Sequence, residues 1–598
     1  MGLAGLADLR SPATRPDPVN EAFAANGRLL ASMFGFSAAM SLLTLTTSFY
    51  MLEVYDRVLT SRSQETLLLL TLIAVGALAV MAVLDSLRLR ILVRIAMRIG
   101  DGLASRTLRA MVATNSQNGA MTARTGLRDI DTIRNFVGSQ SFATLIDLPF
   151  ASILLVVLYF MHPLYLLIVL GGGAILAGIA LINNRVTGRI IADSIGQTLR
   201  AHAFAEDGLR NADVLEGMGM SATFVERWRT LWLGSLRTFS LASDRDARLS
   251  AASRAVRLLI QVTLMGTGAI LILDYQATGG VMLGATIIGS RALQPIEQAV
   301  GMWKSIIAAR VARARLSELL LGAPAREEGM ALPAPAGRLQ ASNIHYLPQG
   351  SRKAILSNIN FEVAAGEALG IIGPSASGKS TLARLLIGAW PATAGVVRLD
   401  SANIYAWPRA EIARYIGYLP QDVELFSGTI RDNIARMGQG DPAAVVRAAE
   451  LAHAHQMILS LPKGYDTEIG QGGYRLSAGQ SQRVGLARAL YGEPRLVILD
   501  EPNSNLDGPG EEALLQTISA LKKLRVTVIV IAHRPNVLAD MDKMLVLQAN
   551  GTMATFGPRS EVLAQFSRAP GPRPQGANVV PLAAAQGGAA ELAGNTNT

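Results

Sequence analysis

The chain has 598 residues, is half hydrophobic, only 17% charged, and carries a net charge of +10 without a single cysteine. Its length exceeds one domain, and its mean hydropathy of +0.31 is high for a soluble protein and places part of the chain in lipid. The missing cysteine excludes disulfides, thiolate metal sites and a cysteine nucleophile, while the basic balance fits either nucleic acid or the arginine-rich cytoplasmic loops of a membrane protein.

Residues 1–26 are polar and mixed. They read as a cytoplasmic segment with no cleavable signal peptide. Six apolar runs then crowd residues 27–321: Leu29–Leu52, Thr66–Leu84, Leu148–Met161, Pro163–Asn184, Leu258–Leu273 and Tyr275–Ser290. A helix needs about 20 apolar residues to cross a bilayer. Runs one, two and four meet that length, and the other three need flanking residues. The expected fold here is an all-α transmembrane domain of six helices. Buried helices of a soluble bundle are the weaker alternative, because so many runs are so long.

Arginine recurs from Arg88 to Arg134 and again from Arg185 to Arg254, between runs two and three and between runs four and five. Positive charge collects on the cytoplasmic side, so both termini are expected there. Both connections have a helical pattern and are expected to continue the membrane helices into the cytosol, with tips near Asn115–Met121 and Gly217–Ser221. Their charges read as solvated faces, with nucleic-acid contact a remote second reading.

Residues 322–338 are rich in Pro and Gly and read as a linker. From 339 to 566 strands alternate with helices, as in an α/β P-loop nucleotide-binding domain. Residues 567–598 are rich in Ala, Gly and Pro and have the composition of a disordered tail.

The most specific motif lies in this second half. Gly373-Pro374-Ser375-Ala376-Ser377-Gly378-Lys379-Ser380 fits G-x-x-x-x-G-K-[ST]. It follows the apolar run Leu369–Ile372 and precedes a helical run opened by Thr381. The glycines let backbone N–H groups turn inward around phosphates. Lys379 can reach the β/γ oxygens, and the Ser380 hydroxyl can ligate Mg²⁺. The chain is therefore expected to bind ATP. Downstream, Leu496–Leu499 ends in Asp500 and Glu501. Asp500 is placed to hold Mg²⁺, and Glu501 to act as general base toward water. Such an acidic pair can also simply cap a helix, and the upstream loop favours the catalytic reading.

Leu476-Ser477-Ala478-Gly479-Gln480 opens another helix. It resembles the signature motif of ATP-binding cassette (ABC) ATPases, with Ala478 in place of the first glycine. Ser477 and the Gly479 amide can donate to a γ-phosphate, and the helix N-terminus favours anions. In that family this loop faces the phosphate loop of a second cassette, so the resemblance implies a homodimer with two composite sites. Other family motifs follow in order. Gln421 matches the Q-loop glutamine, which senses Mg²⁺ and the attacking water. Ser504–Asp507 matches the D-loop, with Asp507 at the nucleotide. His533 matches the switch histidine at the γ-phosphate, and Tyr346 the aromatic that stacks on adenine. Thr467–Gly470 resembles a loop of exporters. His162, His202, His345, His453 and His455 fit no definable site.

Six spans ahead of one cassette resemble an ABC half-transporter of the exporter type. Tyr55–Val58, Leu127–Arg134, Arg291–Gln298 and Asp500–Asp507 together resemble the PrtD-like inner-membrane ATPases of bacterial type I secretion systems, over about residues 27–566. This resemblance implies export of a protein, commonly a Ca²⁺-binding repeat protein or protease with an uncleaved C-terminal signal. It also implies a periplasmic membrane-fusion adaptor and an outer-membrane channel as partners, and a multi-pass location amid inner-membrane lipid. Too few residues precede the first run for an N-terminal peptidase domain, and without cysteine no cysteine peptidase is possible, so no leader cleavage is expected. Closure of two cassettes on ATP is expected to drive alternating access. Pro295 either kinks the sixth helix where substrate passes or is a tolerated bend. Arg291 and Glu297 either face the pathway or pair with each other. A lipid or drug exporter is the nearest rival reading; a soluble DNA-acting ABC ATPase and a non-hydrolysing ATP-binding element are more distant.

Overall fold

The computed structural model describes residues 17–118, 121–323, 332–348, 350–470, 472–532 and 534–568. Contacts divide the chain into two units, Met1–Pro324 and Ala325–Thr598, with the division inside the Pro/Gly-rich segment 322–338. Most of the segment expected to be a disordered tail, from residue 569 on, lies outside the described residues.

The first unit is helical. Among the described residues five helices are long and apolar enough to cross a membrane: Gly27–Ser61, Gln64–Asn115, Gln140–Met161, Pro163–Arg210 and Ser221–Leu273. Large apolar side chains such as Leu68, Leu72, Leu167 and Leu259 point outward, a pattern suited to lipid and costly in water. The expected sixth span is the helix Gly279–Gly301, 23 residues long. It falls short of the other five in hydropathy because Arg291, Gln294, Glu297 and Gln298 interrupt its apolar run. The Ser221–Leu273 helix, at 53 residues, is about 80 Å long against about 30 Å of hydrocarbon, so it must extend well beyond a bilayer.

Local chemistry explains the helix ends. Run three is broken: Gln140–Asp147 and Ala151–Met161 flank a 3₁₀ turn at Leu148–Phe150, where Pro149 lacks the N–H that a continuous helix needs. The next helix starts at Pro163, and His162 caps it by accepting from the Leu164 N–H at 3.3 Å. Residues 18–25, read from sequence as an undifferentiated polar segment, form a short helix capped by Asp17. Ser317 donates to both Asp17 oxygens at 3.0 Å, and Arg106 pairs with Glu21 at 3.1 Å.

Buried charges tie the bundle together. Arg88 is 2% exposed and reaches Asp147 at 2.6 Å and Asp85 at 3.0 Å. Within Leu127–Arg134, Asp129 is buried and holds Arg315 through two guanidinium contacts. Within Tyr55–Val58, a π-helical turn aims Asp56 at the start of the Gly279–Gly301 helix. Asp56 accepts there from the Gly280 N–H at 2.9 Å and from the Thr278 hydroxyl. A Cβ on Gly280 would lie 2.6 Å from Asp56 Cγ and from the Leu52 carbonyl, so this approach requires glycine.

The second unit has two main sheets. Its strands are β1 (Leu339–Tyr346), β2 (Leu356–Val363), β3 (Ala368–Ile372), β4 (Ala394–Leu399), β5 (Ala402–Asn403), β6 (Ile416–Leu419), β7 (Gly428–Thr429), β8 (Glu468–Ile469), β9 (Leu496–Asp500), β10 (Thr527–Ile531), β11 (Lys543–Leu547) and β12 (Met553–Pro558). One sheet has the order β2-β1-β4-β5 and is antiparallel; the other has the order β12-β11-β3-β10-β9-β6 and is parallel from β11 to β6. β9 and β10 are buried throughout, as parallel strands covered on both faces must be. The register pairs Ile531 with both Ile371 and Asp500. It brings the ends of β3 and β9 to one edge, where such sheets bind ligands.

Candidate nucleotide-binding site

The phosphate loop runs from the end of β3 to the helix Lys379–Leu386. Two residues in it take left-handed backbone, Ala376 at φ +64° and Gly378 at φ +92°. A Cβ on Gly378 would also meet Leu356 at 2.8 Å, so glycine is needed there twice over. Pro374, Ser375 and Ala376 are exposed and form the open rim, while Ser377 is buried. Gly373 and Gly378 frame the turn, and Thr381 continues the helix after Ser380.

Lys379 is buried and donates to the Gly373 and Pro374 carbonyls, each at 3.0 Å. Its ammonium curls back over its own loop. Burial lowers its pKa, while Glu501 and Asp500 oppose that shift. Asp500 is 1% exposed. Burial pushes its carboxyl above the ordinary aspartate value, and a hydrogen bond from Ser380 pulls it back. Its Oδ1 is buried with no hydrogen-bond partner. A hydroxyl beside a buried carboxylate with one oxygen unsatisfied is a hard oxygen donor set that fits Mg²⁺. Glu501 stands next in the chain with left-handed backbone at φ +49°. Gln421, after β6, donates to Glu501 Oε2 at 3.1 Å. Two residues 80 positions apart are thus joined at the expected point of water activation.

The signature loop opens the helix Ala478–Leu490. Ser477 and Gln480 cap each other: the Gln480 N–H donates to Ser477 Oγ at 3.2 Å, and the Ser477 N–H to Gln480 Oε1 at 3.0 Å. Ser477 Oγ accepts in this cap, which leaves its proton for an outside acceptor. Ala478 is exposed at the first helical position and is not among the positive-φ residues, so the backbone here does not require the consensus glycine. At Gly479 a Cβ would come within 2.9 Å of the Asn505 carbonyl.

Some expected residues carry structural duties as well. Asp507 caps the helix Gly508–Lys523 by accepting from the Gly510 N–H at 3.0 Å, and it pairs with Arg483 at 3.2 Å. Tyr346 is 7% exposed and stacks on Trp390 with ring centroids 5.2 Å apart; adenine stacking would have to use its remaining face. His533 lies outside the described residues, two positions past the end of β10.

Gln482 escaped the sequence reading. It is buried, donates to the Pro502 carbonyl and accepts from the Asn505 N–H at 3.2 Å. It thereby ties the signature helix to the loop after Glu501. Its place two residues beyond Gln480 is the one available signal. Arg384 also went unnoticed; it lies over Trp390 at 4.8 Å. Among the unassigned histidines, His455 hydrogen-bonds Tyr465 at 2.8 Å and His202 packs edge-on against Trp232. Both contacts are structural. Of the two alternatives for Arg291 and Glu297, the mutual pair does not form: Glu297 lies 2.7 Å from Arg257, and Arg291 reaches Gln294 at 3.4 Å. Positions 291 and 297 are nearly two turns apart on one helix, whereas Arg257 faces Glu297 from the neighbouring helix.

Residues 356–504 match the family model described as ABC transporter. The chain is 42% identical to the type I secretion system ATP-binding protein PrsD of Rhizobium meliloti (strain 1021), over 89% of this chain and 92% of that protein. It is 28% identical to the leukotoxin translocation ATP-binding protein LktB of a Pasteurella haemolytica-like species (strain 5943B), over 90% of this chain and 75% of that protein. Among solved structures, a bacterial Atm1-family ABC exporter with ATP bound superposes with a TM-score of 0.74 at 24% identity, covering 91% of this chain and 97% of that one. That last likeness concerns the fold.

Proposed function

The chain belongs to the ATP-binding proteins of type I secretion systems, and from that premise we propose how it works and what it exports. It is a multi-pass membrane protein whose ABC cassette binds ATP and hydrolyses it to drive transport. The cargo is a secreted polypeptide, of the Ca²⁺-binding repeat or protease kind. It passes to a periplasmic membrane-fusion adaptor and an outer-membrane channel. Both termini and the cassette face the cytoplasm of a bacterial inner membrane, and nucleic acid has no part.

Two copies form the working unit. Loop amides from Gly373 to Ser380 and the Lys379 ammonium grip the phosphates of ATP in one copy. Ser477 and the Gly479 amide of a second copy close over the γ-phosphate, with Ala478, Gln480 and Asp507 at the same seam. Tyr346 faces the base and His533 the γ-phosphate. Ser380, Asp500 and Gln421 would hold Mg²⁺, which neutralises charge on the β- and γ-oxygens when bound. Glu501 accepts the proton of the attacking water, and Gln421 orients it. ATP favours the closed pair of cassettes, hydrolysis releases it, and the membrane helices alternate in step.

The observation that carries this reading is the junction of Gln421 with Glu501 at 3.1 Å, beside Asp500 and Lys379, in a chain that also holds five apolar helices. Deleting the gene and comparing extracellular proteins tests it. Loss of one or a few secreted proteins, restored by the wild-type gene and not by Glu501→Gln, is the expected result. An unchanged secretome would move the reading to a lipid or drug exporter on the same scaffold.

A further inference from the structure

We propose that a cationic chamber between the helices Ser221–Leu273 and Gly279–Gly301 binds an acidic stretch of the exported polypeptide, with Glu297 as a built-in competitor for Arg257. The proposal rests on the protein-export reading above. The chamber has a volume of about 640 Å³, room for roughly 20 waters at about 30 Å³ each, and so for several side chains of a peptide. One wall carries Ser250, Arg254 and Arg257; the other carries Arg291, Gln294 and Glu297. These positions recur at three- and four-residue spacing, so each set forms one stripe along its helix. Three guanidiniums face one carboxylate, which leaves two positive charges in excess.

Guanidiniums that face such a chamber without a carboxylate partner are open to an anion from outside. Arg257 has a partner, since its Nε lies 2.7 Å from Glu297 Oε2. Its N–H is nevertheless not aimed at that oxygen, for the same Nε counts as buried without a hydrogen bond. The contact is a charge pair without an aligned hydrogen bond, which a better-placed carboxylate can displace. Arg254 and Arg291 have no carboxylate within 4.0 Å among the described residues. Arg88 shows the alternative: where the bundle uses arginine as a structural tie, two carboxylates hold it at 3.0 Å or less.

Guanidinium groups recognise carboxylate and phosphate alike. A phospholipid headgroup would bring acyl chains needing an apolar wall. Apart from Gly301, every side chain lining this chamber is polar or charged. That favours a polypeptide segment whose Asp and Glu carboxylates take the forks of Arg254, Arg291 and, after displacing Glu297, Arg257.

The experiment uses the full chain in nanodiscs of phosphatidylcholine. Fluorescein-labelled 16-residue peptides of alternating Glu-Gly, Gln-Gly and Lys-Gly are the probes, and binding is read by anisotropy. The Glu peptide is expected to bind more tightly than the other two and to weaken with salt. Arg254→Gln and Arg291→Gln are each expected to weaken it roughly tenfold. Glu297→Gln is expected to strengthen it, because Arg257 is freed; a merely structural ion pair would give no gain. Equal binding of the Glu and Gln peptides, or no change in the arginine variants, overturns the proposal. So does loss of binding in Glu297→Gln, displacement by ADP, which would place the probe at the phosphate loop, or displacement by phosphatidylglycerol, which would assign the chamber to lipid. If Arg254→Gln elutes as aggregate in size exclusion, Arg291→Gln and the peptide series decide. A changed secretome on gene deletion without peptide binding sinks this site alone. Peptide binding with an unchanged secretome sinks the export reading and leaves the site.

Discussion

The membrane unit and the cassette both bury ionised side chains, and they do so to opposite ends. Arg88 and Asp129 are buried in the helical bundle, and each holds an opposite charge at short range. Buried Lys379 and Asp500 in the cassette are left underused: the ammonium rests on two backbone carbonyls, and Asp500 Oδ1 has no partner. A satisfied buried pair fixes one arrangement of helices. An unsatisfied one stores an unfavourable desolvation that a bound ion or phosphate relieves. The bundle thus spends these buried charges on its own geometry, while the cassette reserves its buried pair for a ligand.

This contrast predicts different responses to mutation. The largest effect is expected at Arg88. Arg88→Ala leaves two carboxylates without their cation and should destabilise the membrane unit by about 3–5 kcal/mol, seen as a lower unfolding temperature in detergent. Combining Arg88→Met with Asp85→Asn and Asp147→Asn should recover most of it. A single variant as stable as wild type would break the comparison at its membrane end. Next comes Glu501→Gln, for which ATP hydrolysis should fall by about 100-fold or more while the unfolding temperature changes little. Rapid turnover would remove Glu501 from its role.

Asp56→Ala should cost about 0.5–2 kcal/mol, the usual worth of a helix cap, because the Gly280 N–H and the Thr278 hydroxyl lose their acceptor. Asp56→Asn should retain more than half of that, and equal losses in both variants would point to charge rather than capping. The smallest effect concerns pH. Burial raises the Asp500 pKa above the ordinary value of 3.8. The folded state therefore binds this proton more tightly than the unfolded chain does. Through this group stability falls as pH rises from 3.8 through the folded pKa. Asp500→Asn should remove that fall. Conversely, Mg²⁺-dependent nucleotide binding, which needs the carboxylate, should fade on acidification at a higher pH than for an exposed aspartate. An unchanged profile in Asp500→Asn would mean that burial does not govern this carboxyl.

What was legible in the sequence was local. The phosphate loop reads directly, because a turn with left-handed backbone at Gly378 and a lysine at the helix start are properties of eight adjacent residues. The apolar runs read as spans because hydrophobicity needs no partner to be seen. Illegible were the features whose second half lies far along the chain. For Glu297 the sequence offers either the pathway or Arg291 on its own helix as a partner, and the structure gives it Arg257 on the neighbouring helix. Tyr346 resembles an adenine-stacking aromatic and equally fits a core position, and only the structure shows that Trp390 covers one of its faces. Asp56 stood in a recognisable motif, but its task of capping a helix more than 200 residues later could not be read from the motif itself.

The amino-acid sequence by itself determined that this protein joins a membrane-spanning helical region to one ATP-binding cassette, and it named candidates for contact with phosphate, metal and water. Composition, periodicity and short motifs carry that much, since they act within a few turns or one strand. Only the tertiary structure decided how the charges are shared. It joined Gln421 to Glu501, sank Arg88 between two aspartates, left one oxygen of Asp500 unsatisfied, and gathered Arg254, Arg257 and Arg291 around a chamber. The reason is physical: an ion's worth depends on its burial and on the partner within about 4 Å, and both are set by packing between distant segments.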